Sequence, residues 1–218
     1  MNAAFQALCA RLAVAGVPDA RFDAAELYRF VTRRDPRLDD GPTEAEAARL
    51  AALADRRAAR EPLQYILGEW DFMDFSLKVG PGVLCPRADS EVVCEAAIEL
   101  LQGVPSPRVY DLCAGTGCLG LGIARHVPGA DVTCVEKSPD AWPYLTANTA
   151  DSGVCTIQAD VFTYYKLLSA ECADLIISNP PYLTGPEMGA LMPETAHEPA
   201  MALDGGADGL DFYLSLIH

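Results

Sequence analysis

The segment ISNPPY, residues 177–182, ends an apolar run (Leu175, Ile176, Ile177) in an amide side chain, two prolines and an aromatic ring. Consecutive prolines remove two backbone donors and stiffen the chain where a strand stops. Such a turn can grip a planar NH2 group. The Asn179 side-chain oxygen and the Pro180 carbonyl can each accept one N–H, Pro181 helps to fix the carbonyl directions, and Tyr182 offers a flat face. Methyl transfer to an amide or base nitrogen calls for that grip. The nitrogen lone pair is delocalised, and holding both N–H groups turns it toward the methyl donor by positioning and electrostatics. No general base is demanded. The plain alternative is a proline turn that only ends a strand.

A second string, DLCAGTGCLG, places Gly115, Gly117 and Gly120 as G-x-G-x-x-G between a strand and a helix. Glycines there permit a tight turn and a close backbone approach to a ligand. Glu136 ends the next strand-like run about 20 residues on, where a carboxylate can accept both hydroxyls of a ribose. The pattern alone fits a dinucleotide, S-adenosyl-L-methionine, or a turn that serves helix packing only. Asp111, just before the loop, suits a cationic sulfonium amino acid better than a pyrophosphate. Asp160, ending a third run, is placed to meet an adenine amine. Carboxylates at three successive strand ends would repel a diphosphate, and they favour S-adenosyl-L-methionine.

Only a sheet can bring these residues to one edge. Four strand-like runs (RVYDLCA, DVTCVEK, CTIQAD and DLIISN) are separated by helical stretches at βαβ spacing, which predicts a parallel sheet with crossover helices. The candidate residues then share its carboxyl edge, where open α/β sheets bind ligands. A helix from about residue 89 to 102, capped by Asp89 or Ser90, precedes the first run. Alternating Phe75, Leu77 and Val79, then turn glycines, predict a hairpin. Upstream, Phe5, Leu8, Cys9 and Leu12 share one helical face; Leu27, Phe30 and Val31 mark a second helix; Thr43 and Glu46 form a capping-box pattern before a third. The expected organisation is a helical docking domain over 1–67, a hairpin linker over 68–88 and an α/β domain over 89–218.

Composition narrows the class. The 218 residues are half apolar, enough for a real core, and carry a net charge of −15. That charge argues against a broad phosphate-binding surface, so no direct nucleic-acid binding is expected. No apolar run reaches membrane-span length and the N-terminus lacks a signal-peptide pattern, so a cytoplasmic location and no membrane partner are expected. Eight scattered cysteines without a Cys-x-x-Cys or a Cys/His cluster read as buried reduced thiols, and no metal site is expected.

The Asn-Pro-Pro-Tyr string is similar to the [Asn/Asp]-Pro-Pro-[Tyr/Phe] motif of amino-group methyltransferases that use S-adenosyl-L-methionine. With REPLQYILGEWDF, VLCPRADSE, DLCAGTG, ISNPPY and HEPAMALDGGADGLDFY in that order, the whole chain resembles the peptide chain release factor glutamine methyltransferases (PrmC/HemK). The resemblance implies an α/β, Rossmann-like S-adenosyl-L-methionine-dependent methyltransferase fold, with a small N-terminal helical domain and a β-hairpin linker. It implies methylation of the glutamine side-chain amide in the Gly-Gly-Gln motif of a release factor, which the N-terminal helices help to grip. By position it puts Asp111, Gly115, Gly117, Glu136, Asp160 and Asn179 at the cofactor. Asn179, Pro180, Pro181 and Tyr182 would hold the glutamine, with Asn179, Pro180 and Tyr182 as the catalytic set. Arg87 and Glu198 belong to motifs near the site, and either could equally be a structural ion-pair partner.

Three departures qualify the resemblance. Cys113 replaces the first loop glycine, so an ordinary backbone conformation is expected there. Ala88 replaces a proline. The chain stops at His218, before three further strands of the family's seven-stranded sheet, so a C-terminally truncated parallel sheet with an open fourth strand is expected. The rival readings are a DNA adenine or cytosine amino-methyltransferase and a non-catalytic, truncated cofactor-binding module. An NAD-dependent oxidoreductase would leave Asn-Pro-Pro-Tyr unexplained.

Overall fold

The computed structural model describes residues 2–164, 166 and 172–217, with side chains to residue 214; His218 lies outside them. Two units pack separately, residues 1–68 with 192–197, and residues 69–191 with 198–218.

In the first unit, apolar residues at helical spacing build α1 (Ala3–Val14), α2 (Ala20–Thr32), α3 (Glu44–Ala58) and the short α4 (Leu63–Leu67). The Thr43–Glu46 capping box forms in full, with the Thr43 side chain on the Glu46 N–H and the Glu46 carboxylate on the Thr43 N–H. Phe5, Leu8 and Leu12 are buried, and Phe5 meets Tyr28 edge-to-face. The second helix differs from expectation. It turns Ala24, Leu27 and Tyr28 inward and leaves Phe30 and Val31 only half-buried. Arg57, 4 % exposed, joins Asp23 at 2.6 Å to Glu194 at 2.8 Å. A buried guanidinium is tolerable only when its donors are satisfied in this way.

The second unit opens with an antiparallel hairpin, β1 (Glu69–Phe72) and β2 (Phe75–Lys78). Then follow α5 (Ala88–Leu100), β3 (Arg108–Leu112), α6 (Cys118–His126), β4 (Asp131–Glu136), α7 (Trp142–Asn148) and β5 (Cys155–Gln158). The short α8 (Val161–Tyr164), β6 (Leu175–Ser178), α9 (Gly185–Met188) and α10 (Asp211–Ile217) complete it. α5 starts earlier than expected. Arg87, with extended backbone, occupies the cap position without a side-chain bond, so Asp89 falls in the first turn and Ser90 is freed for another partner.

The four strands of the larger sheet are all parallel, in the order β5-β4-β3-β6. Val109, Val132, Cys134 and Ile123 are at most 2 % exposed, which marks the sheet face under α6 as the core. The chain steps outward from β3 to β4 to β5, then returns to the opposite side of β3 as β6. That reversal opens a crevice at the carboxyl ends of β3 and β6, the usual ligand position in such sheets.

Candidate active site

The loop after β3 is shaped by three residues in left-handed conformations, Cys113 (φ 60°), Gly115 (φ 55°) and Gly117 (φ 80°). Cys113 therefore departs from the ordinary conformation expected of it. The Ala114 N–H must cross to the Val135 carbonyl at 3.0 Å, and this closure turns the chain at Cys113 despite its side chain. Gly120 serves packing instead. A Cβ there would lie 2.4 Å from the Cys134 sulfur, so α6 rests on the sheet only because none is present.

Glu136 ends β4 and is 8 % exposed. One carboxylate oxygen accepts the Gly115 N–H at 2.7 Å and the other the Ser138 N–H at 2.6 Å. Each oxygen keeps a further lone-pair site for a ligand donor. Asp160 lies two residues past β5; one oxygen accepts the Phe162 N–H at 2.9 Å and the other meets the Lys137 ammonium at 2.9 Å. Burial pulls its carboxyl upward, but the Lys137 and Phe162 bonds outweigh burial and hold it below the usual range.

Asn179 follows β6, where the Ser178 hydroxyl donates to the Leu112 carbonyl at 2.5 Å. The Asn179 amide nitrogen points at the Ser90 hydroxyl, 3.5 Å away, which leaves its oxygen as the free end. Pro180 and Pro181 are buried, while Tyr182 is 53 % exposed.

One open cavity in the second unit collects Gly115, Glu136, Asp160, Asn179, Pro181 and Arg87. Asp111, Gly117, Pro180, Tyr182 and Glu198 do not line it. Arg87 and Glu198 hold each other, with 2.7 Å between nitrogen and oxygen, and Glu198 also accepts the Cys85 N–H at 3.3 Å. Burial raises the Glu198 carboxyl, and Arg87 offsets this only in part. Residues that sequence reasoning overlooked complete the walls. Ser138, Phe162 and Phe212 line the cavity beside Ser90, and the two phenylalanine rings lie 4.8 Å apart. Phe212 stands in the quoted string HEPAMALDGGADGLDFY, but nothing in its spacing marks it as a wall.

Asp111 is turned inward rather than to the cavity. One oxygen accepts the Gly120 N–H at 2.8 Å, and the other has no partner among the described residues. Burial raises its carboxyl to about 7; the Gly120 N–H opposes the rise and the Glu136 charge adds to it. In the unfolded chain an aspartate loses its proton near pH 3.9. The folded state thus binds the extra proton between those values, and the stability this group contributes is present below about pH 4 and lost as pH rises through 7. Asp111→Asn keeps an oxygen for Gly120 and removes the titration. Between about pH 5 and pH 8 the wild-type melting temperature should fall more than that of the variant. Parallel slopes in thermal melts would show that Asp111 ionises as freely as an exposed carboxylate.

Residues 3–68 match the family described as PrmC N-terminal domain, and residues 79–204 match the methyltransferase small domain. A release factor glutamine methyltransferase of Streptomyces coelicolor is 40 % identical over 210 residues, covering 94 % of this chain and 74 % of that protein. The one from Mycolicibacterium smegmatis is 41 % identical over 216 residues, covering 96 % and 75 %. Among solved structures, the hMettl16 catalytic domain in complex with the MAT2A 3′UTR hairpin 1 aligns over 92 % of this chain and 72 % of its own. Its TM-score is 0.54 at 14 % identity, a likeness of fold alone.

Proposed function

The chain belongs to the release factor glutamine methyltransferase family, and from that membership we propose that it methylates a peptide chain release factor on the glutamine amide of the Gly-Gly-Gln motif, with S-adenosyl-L-methionine as donor. The observation that carries the reading is one cavity holding the Glu136 carboxylate and the free oxygen of the Asn179 amide. The first is suited to a nucleoside ribose and the second to a planar NH2 group.

The donor set fits the cofactor. Glu136 can accept ribose hydroxyls while still bracing the loop through Gly115 and Ser138. Asp160 and the Phe162 ring offer an acceptor and an apolar face to an adenine. Asp111 is turned away from the cavity, so the carboxylates offered to the cofactor are those of Glu136 and Asp160. When bound, S-adenosyl-L-methionine supplies an electrophilic methyl group on a sulfonium. The protein's task is positional. Asn179 and the Pro180 carbonyl accept the two amide N–H groups, Pro181 and Tyr182 border the glutamine, and Arg87, kept in place by Glu198, completes the wall. Holding both N–H groups favours the positive charge that develops on the nitrogen as its lone pair engages.

The helical unit is read as the release-factor docking module, and the setting as cytoplasmic; no described helix is long and apolar enough to cross a membrane. A methyltransferase acting on DNA gains no support from a chain of net charge −15. Mass spectrometry of a release factor after incubation with the chain and cofactor tests the reading. A gain of one methyl on the Gly-Gly-Gln glutamine is expected, and an unmodified factor overturns it.

Glu136 carries a second expected result. Glu136→Ala should weaken binding of S-adenosyl-L-homocysteine by about 1.5–3 kcal/mol, the size of lost hydrogen bonds to a charged acceptor. Glu136→Gln, which retains one acceptor for the loop, should fall between the two in calorimetry. Unchanged affinity in both variants would remove the ribose assignment.

A further inference from the structure

Residues 1–68 carry ten arginines against ten carboxylates, so the whole net charge of −15 resides in residues 69–218. Seven of those ten arginines hold a carboxylate. Arg21 holds none among the described residues, and neither do Arg33 and Arg49, both exposed, which share a different partner. Instead their guanidinium carbons stand 5.5 and 5.2 Å from the centre of one ring, Phe30. This is the ring that the helical period would have buried.

The backbone supplies an independent observation. Arg33 closes α2 in the left-handed region, φ 59° and ψ 21°, where glycine or asparagine is the unstrained choice. Arg60, just past α3, shares that conformation at φ 68°, and there the reason is visible: its guanidinium holds Glu194 by two hydrogen bonds, 2.6 and 2.7 Å. Arg33 has the same backbone and an empty fork. A guanidinium stacked on a ring loses freedom without losing its edge donors, so it is pre-organised for two-point pairing with a carboxylate.

We propose that Phe30, Arg33 and Arg49 form a carboxylate-binding site on the helical unit that takes an acidic segment of the protein substrate. The identity of that substrate rests on the functional reading above; the site itself does not. Phosphates share the required geometry, but a chain of net charge −15 repels a polyanion that extends past two arginines. A short acidic peptide segment is the occupant the charge distribution favours.

The full chain and its Arg33→Ala/Arg49→Ala variant are compared in two assays. In calorimetry, a short peptide carrying two adjacent glutamates between neutral residues should bind the wild type and bind the variant at least about tenfold more weakly, with the difference vanishing at high salt. In steady-state methylation, KM for the release factor should rise about tenfold while kcat and cofactor affinity stay unchanged, the split expected of uniform binding energy. Equal peptide binding by both proteins overturns the site. So does a variant that loses melting temperature and kcat together, which would make the stack structural. Binding of polyuridylate in place of the peptide also overturns it, in favour of a nucleic-acid site. A wild type that binds the peptide but leaves the factor unmethylated keeps the site and removes the substrate.

Discussion

Replacing Asn179 by alanine should lower methyl transfer by at least about a hundredfold, while cofactor affinity changes by no more than a few-fold. The expectation follows from how the residue is held. β6 pairs with β3 through Leu112 and Ser178, which fixes where the strand ends. The buried Pro180 and Pro181 then stiffen the exit. With its nitrogen toward Ser90, the Asn179 amide leaves its oxygen to accept an amide N–H. Alanine removes that acceptor and leaves Glu136 and Asp160 untouched. Single-turnover rates compared with calorimetry separate the two effects. Loss of both in equal measure would make Asn179 a support of the fold.

Gly205→Ala should depress turnover by at least about tenfold although Gly205 does not itself line the cavity. A Cβ at Gly205 would stand 2.6 Å from the Tyr182 Cα and 2.8 Å from its carbonyl carbon. These are backbone atoms and cannot swing aside as a side-chain tip can. The two stretches are also tied, Leu183 N–H to the Leu203 carbonyl and Gly205 N–H to the Leu183 carbonyl, each at 2.8 Å. The added methyl must therefore push the Pro181-Tyr182 turn, and with it Asn179. Gly209 repeats the constraint, since a Cβ there would lie 2.3 Å from the Tyr182 carbonyl oxygen. Circular dichroism and cofactor affinity should stay near wild type while kcat falls. Full activity in Gly205→Ala would mean that the turn yields without moving Asn179.

This contact gives a physical reason for the string HEPAMALDGGADGLDFY. Its glutamate pairs with Arg87, its glycines let the chain lie against Tyr182, and its one phenylalanine, Phe212, reaches the cavity. None of those roles follows from the string itself.

Local physics makes much of the molecule legible in its sequence. Alternation and apolar runs set the hairpin and the four parallel strands, and capping chemistry set the start of α3. Glycine spacing set the loop after β3, and the βαβ rhythm alone required Gly115, Glu136, Asp160 and Asn179 to share one edge. What remained depended on which distant groups meet. The Cys113 conformation answers to a carbonyl on the neighbouring strand. The inward turn of Asp111 answers to Gly120 on α6, and the Arg87–Glu198 pair joins residues 111 apart in sequence. Ser90 looked like a helix cap, but α5 takes its cap three residues sooner, at Arg87, and presents Ser90 to Asn179. Propensity and period act over a few neighbouring residues, so they dictate elements and their edges. Side-chain partners are chosen only when the crossover connections fold those elements together.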